Sequence, residues 1–249
     1  MTSLQKAPHE IDQIRIASSI LAKTLQIVAH AANPGVRGTE LDDLARNTIL
    51  KLGGEPGFLG FEDYPATICL SINKAVVHGI PTAKTLQAGD VVSIDIGVRV
   101  NGWNADAAIT KLLDPIDPED QRLLDTANAS LAAGIAALKA GIHLGDVQAA
   151  IQQVIDTSGF GNVRSMTGHG IGKELHEPPA IPNYGKVGTG PILEEGMVIC
   201  LEPMITRGNG KVVTAKDGWT IITADHTRSA HVEHTILVTK VGSAVLTKI

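Results

Sequence analysis

Four acidic side chains interrupt stretches that otherwise read as apolar, β-branched strands. Asp95 lies inside Val91-Val92-Ser93-Ile94-Asp95-Ile96-Gly97-Val98, and Asp106 inside Trp103-Asn104-Ala105-Asp106-Ala107-Ala108. Glu202 follows Met197-Val198-Ile199-Cys200-Leu201, and Glu233 sits in His231-Val232-Glu233-His234-Thr235-Ile236-Leu237-Val238. Asp is depleted in strands, and acids are seldom fully buried without a partner. Between the first two runs stands Asn101-Gly102, the strongest short-range hairpin signal. A two-residue loop there pairs residues as 95 with 108, so Asp95 faces Ala108. Asp106 then shares the face of Asp95 as its diagonal neighbour, with Cα atoms roughly 7–8 Å apart. Carboxylates that close repel unless a cation or a proton lies between them. One such acid alone reads as a solvated residue on an edge strand. Four of them, in matching order on apolar strands, read as a cage for cations.

Thr167-Gly168-His169-Gly170-Ile171-Gly172 adds an imidazole among glycines, where a ligand can approach closely. It is neither a Gly-x-Gly-x-x-Gly phosphate loop nor a His-Glu-x-x-His helix. His176 lies seven residues on, an odd spacing that points the two rings apart on a regular strand; a turn at Gly172 would bring them together. Four carboxylates and one imidazole make a hard donor set, suited to two divalent ions such as Mn, Fe(II), Co or Zn. Two such ions clamp attacking and leaving oxygens and acidify a shared water, which is chemistry for hydrolysis.

The elements that must hold these groups fall into two similar halves. Ile11, Ile14, Leu21, Leu25 and Val28 predict an amphipathic helix over about 10–31, closed by Asn33-Pro34-Gly35. Thr39-Glu40-Leu41-Asp42 reads as a capping box opening a second helix, which stops at Gly53-Gly54. Asp117-Pro118 opens a third helix to about Lys139, and a fourth runs from Asp146 to Ser158 before Gly159. An offset of 106 lays Gly35 on Gly141 and Gly53 on Gly159, which argues duplication. Strand-like sequence follows each helical pair: the hairpin in the first half, then Gly196–Thr206, Trp219–Thr223 and His231–Thr239 in the second. Helices followed by strands predict an α+β fold with an antiparallel sheet. No linker separates halves of about 10–115 and 116–249, so the expectation is one domain over 1–249.

Composition agrees with a globular catalyst. The 249 residues carry 21 Lys plus Arg against 26 Asp plus Glu, a net charge of −5, so a broad basic face for nucleic acid is excluded. Neither a signal-like h-region nor a spanning apolar run is present, so a cytoplasmic protein is expected. Two cysteines make no disulfide framework.

Asp95 and Asp106, Gly168-His169-Gly170-Ile171-Gly172, His176-Glu177-Pro178-Pro179, Leu201-Glu202-Pro203-Met204 and Glu233-His234-Thr235 together resemble the type I methionine aminopeptidases over about residues 10–240. The resemblance implies the pita-bread fold, a pseudo-twofold antiparallel sheet with two helix pairs on its outer face. It implies a dinuclear centre of Co2+, Mn2+, Fe2+ or Zn2+, with Asp106 and Glu233 bridging, Asp95 on one metal, and His169 with Glu202 on the other. The implied activity is removal of the N-terminal methionine when the second residue is small, by a metal-bridging hydroxide. Glu202 would move the proton, His176 would meet the scissile carbonyl, and His78 would contact the substrate near the scissile amide. Phe61, Tyr64, Cys69, Leu175 and Trp219 would line the methionine pocket; Leu175 stands where the family often has an aromatic. His231 is expected to be an exposed strand residue rather than a partner of Glu233. The short sequence ahead of the first helix and the 26 positions from His176 to Glu202 are expected of type I rather than type II. Implied partners are N-terminal methionine peptides and nascent chains near the ribosome, the protein acting as a monomer. The alternatives are a proline-directed peptidase of the same fold and a non-catalytic pita-bread binding protein.

Overall fold

The structure, a computed structural model, describes residues 4–248. Helix α1 (Pro8–Ala31) starts with proline in its first turn, and the Glu10 carboxylate accepts the Ala7 N–H at 2.8 Å. Ile14, Ala17, Leu21, Leu25 and Val28 form its buried stripe. Helix α2 (Gly38–Lys51) begins earlier than its expected Thr39 cap. The Gly38 and Thr39 N–H groups already donate to the carbonyls of Lys84 and Thr82, and the Glu40 carboxylate accepts from Arg37 N–H, so a threonine cap has no work to do. Asp42 instead accepts from Thr67 and Ile68 N–H, tying α2 to the strand Ile68–Ile72.

Helices α3 (Pro118–Ala137) and α4 (Leu144–Ser158) repeat this layout. Asp146 caps His143 N–H as Glu40 caps Arg37, and 146 − 40 and 143 − 37 both equal 106. Gly53 and Gly159, also 106 apart, adopt the same left-handed φ of +86° and +83°. The duplication is therefore present in the hydrogen bonding as well as in the sequence.

In the first half, Val91–Val100 and Trp103–Leu112 form the expected hairpin, with Asn101 and Gly102 both at positive φ and Asp95 paired with Ala108. Val92, Ile94, Ile96 and Val98 pack against α1 and α2, so the alternate residue Asp95 faces the other way. In the second half a five-stranded antiparallel sheet runs Gly242–Val245, His234–Thr239, Val198–Leu201, Thr167–Gly170, Glu177–Pro182. Ile199 and Leu201 pack toward α3 and α4, which turns Cys200 and Glu202 to the opposite face. The halves join where Ala108 and Glu233 exchange backbone hydrogen bonds, and where the Thr235 hydroxyl donates to the Asp106 carbonyl at 2.7 Å.

Two expected strands are broken in two. Gly196–Thr206 divides into Val198–Leu201 and Met204–Thr206, and His231–Thr239 into Ser229–His231 and His234–Thr239. Pro203 has no N–H to offer a ladder, and at that point the chain changes partners, Met204–Thr206 pairing with Ser229–His231 instead. Glu202 and Glu233 thus stand at breaks where strands leave one sheet for another. Among the described residues no helix is long and apolar enough to cross a membrane.

Candidate metal centre

The inward faces of both halves place the acids around one point. Ligand oxygens of Asp95, Asp106 and Glu233 lie within 4.8 Å of one another. His169 Nε2 is 3.6 Å from Glu202, 3.9 Å from Glu233 and 4.0 Å from Asp106. Asp95 and Glu202 are equivalent across the duplication, since 95 + 107 = 202 and the same 107 relates Leu86, bonded to Val36, to Leu193, bonded to Ile142. All five groups are buried; Glu233 is 2% exposed.

Such crowding is electrostatically costly. Burial, reinforced by their neighbours' charges, pushes Asp106, Glu202 and Glu233 well above the usual carboxylate range, and burial lifts Asp95 to about 6. Asp95 Oδ1, Asp106 Oδ1 and Glu233 Oε1 are buried with no hydrogen-bond partner. His169 is held neutral, its pKa lowered to about 3 by burial and by His176. Its Nδ1 lies 2.9 Å from the Gly170 carbonyl, which only accepts, so the proton resides on Nδ1 and the Nε2 lone pair faces the acids. Orphaned acidic oxygens and an aimed neutral imidazole are the donor set a pair of divalent cations requires.

A cavity of about 540 Å3 opens from this centre. Phe61, Tyr64, Cys69, Leu175 and Trp219 all line it, together with His78 and His176. Gly172 and the turn that follows bring His169 and His176 together, with ring centroids 4.4 Å apart. Tyr64 and Trp219 meet edge to face at 5.1 Å, and Phe61 meets His176 so at 5.2 Å. His78, at φ +57°, is kept neutral, its pKa lowered to about 4 chiefly by burial.

His231 departs from its expected exposed position. It is buried, with Nε2 3.5 Å from Glu202 and 3.9 Å from Glu233, because the strand break at Val232-Glu233 turns both side chains inward. Phe58 and Cys200 were missed. Phe58 lines the cavity beneath Gly97, where a Cβ would fall 2.5 Å from its ring; a glycine inside an apolar strand was the available signal. Cys200 places Sγ within 4.8 Å of donor atoms on His169 and Glu233, and its spacing of two from Glu202 was its signal.

Fold and site together define a metal-dependent hydrolase. The model of metallopeptidase family M24 matches residues 12–240. A methionine aminopeptidase of Clostridium perfringens is 42% identical over 244 residues, covering 98% of each chain, and methionine aminopeptidase 1 of Bacillus subtilis is 40% identical at the same coverage. The crystal structure of methionine aminopeptidase from Thermotoga maritima superimposes with a TM-score of 0.97 at 40% identity, covering both chains fully. A prolidase from Pyrococcus furiosus shares the fold at a TM-score of 0.82 and 24% identity, the match spanning 66% of that longer chain. The chain belongs to metallopeptidase family M24 and, within it, to the methionine aminopeptidases, with their α+β pita-bread fold and dinuclear metal site.

Proposed function

We propose that the protein removes the N-terminal methionine from peptides and nascent chains whose second residue is small. The observation that carries this reading is a buried acidic floor opening into a pocket walled by aromatic and aliphatic side chains. Asp95, Asp106, His169, Glu202 and Glu233 would hold two divalent cations, which supply charge neutralisation and acidify a water to near-neutral pKa.

The chain's own groups supply the rest. With the cations in place, a substrate's free α-amine would be held at this centre, which would restrict cleavage to the terminal residue. The methionine side chain fits against Phe61, Tyr64, Cys69, Leu175 and Trp219, where thioether sulfur on a ring edge contributes about 0.3–1.5 kcal/mol. Neutral His176 donates its N–H to the scissile carbonyl as negative charge develops there. His78, also neutral, faces the same cavity and positions the scissile amide. Glu202 accepts the nucleophile's proton at a carboxylate oxygen and delivers it to the leaving amine; its second oxygen lies 3.5 Å from His231 Nε2.

The whole chain acts as one catalytic domain in this reading, its two halves each supplying two of the acids. The ribosome-proximal cytoplasm and a monomeric state complete the proposal. Protein stripped by a chelator and reloaded with Mn2+ or Co2+ should cleave Met-Ala-Ser. Preferential cleavage of Xaa-Pro peptides would transfer the assignment to the proline-directed members of the fold. Metal uptake without any turnover would leave a binding protein.

A further inference from the structure

The cavity has two charged wall residues, Glu62 and Glu177, that belong to neither the metal centre nor the methionine pocket. Of the acids at its mouth, Glu177 is engaged, with Oε2 2.6 Å from Lys6 Nζ and Oε1 accepting from Glu174 N–H. Glu62 also lines the cavity, is exposed, and makes no side-chain hydrogen bond or ion pair among the described residues.

Its position is held rather than loose. Glu62 and Asp63 adopt φ of +47° and +68°, a conformation that strains a non-glycine residue and persists only where the surroundings impose it. Here the turn is closed by Gly60 N–H to the Tyr64 carbonyl and Tyr64 N–H to the Phe61 carbonyl, both 2.8 Å. Phe61 and Tyr64 are themselves anchored in the pocket wall, Phe61 against the ring of His176. The charge of Glu62 acts on His176, raising its pKa against the lowering by burial. Phe61 joins Glu62 to His176 along one wall of the cavity, so on the reading above a peptide whose scissile carbonyl is held at His176 would run on beside this turn.

We propose that Glu62 selects peptides that carry a cationic side chain at the third residue. The inference rests on the reading of the site given above and adds a charge preference to it. An exposed carboxylate facing an ammonium or guanidinium group changes binding by about two- to fivefold, and salt weakens the effect.

The test uses metal-loaded enzyme with Met-Ala-Lys, Met-Ala-Gln and Met-Ala-Glu at about 0.05 and 0.5 M salt. The native enzyme should rank them Lys above Gln above Glu in kcat/KM, by about two- to fivefold per step, mostly through KM and less so at high salt. Glu62→Gln should level the three relative to one another, whatever it does to their common rate through His176, and Glu62→Arg should invert the order. A Lys preference that survives in Glu62→Gln would belong to the protein's overall negative charge and overturns the inference. Equal native rates on all three peptides overturn it alone, whereas no turnover on any of them overturns the reading of the site beneath it.

Discussion

Replacing Glu233 with Gln should move stability in opposite directions with and without metal. Ligand oxygens of Asp95, Asp106 and Glu233 lie within 4.8 Å, and at that separation two unit charges repel by about 3.5 kcal/mol at an effective dielectric of about 20. Part of that is relieved by protonation, since burial and the neighbouring acids hold Asp106 and Glu233 well above the ordinary carboxylate range. Glutamine keeps the shape, removes the charge, and offers an N–H to the acids that remain. The metal-free variant should therefore be more stable than the metal-free native protein by about 1–3 kcal/mol, or roughly 2–10 °C in Tm for a chain of this size. With metal the order reverses. Free ion at about 100 times Kd stabilises the native protein by about 2.7 kcal/mol per site, and the variant lacks a donor for that gain. Thermal melts of chelator-treated and Mn2+-loaded samples at neutral pH read both arms. A metal-free Glu233→Gln protein that melts below the native one would refute the claim that these acids repel one another across a shared centre.

Other outcomes follow from the same geometry. Carboxylates with raised pKa values hold protons that cations must displace, so metal affinity should increase as pH rises through about 6, where Asp95 titrates, and beyond it, with at least one proton released per chain loaded. Calorimetry in buffers of different ionisation enthalpy counts that proton, and a count of zero contradicts the shifts. His176→Ala should lower kcat by about 100-fold or more while metal content by elemental analysis stays unchanged. Gly97→Ala drives a methyl group into the Phe58 ring, and should cost about 1–3 kcal/mol in a melt and raise KM for methionine peptides.

The hairpin was legible because Asn101-Gly102 fixes a register, and a fixed register fixes which side chains share a face. That alone put Asp95 and Asp106 together, as the structure has them. The helical pairs were legible from period and caps, although α2 begins ahead of Thr39, where backbone carbonyls contributed by residues 82–84 satisfy its first turn. Alternation of side chains reports nothing about a strand that changes sheets, so the breaks after Leu201 and His231 did not appear in the pattern, Pro203 being their one local sign. His231 was misplaced for that reason. Phe58 comes from a loop, where periodicity is silent, and its place is visible only from the glycine across from it.

The pairing of Ala108 with Glu233 is the seam between the two repeats, and the cations would sit on that seam with donors from either side. Neither repeat alone assembles the full cage. Opening one half of the molecule would therefore take donors away from a shared cage, so metal retention would double as a gauge of whether the two repeats are docked. Partial unfolding and loss of catalysis become a single event rather than successive ones.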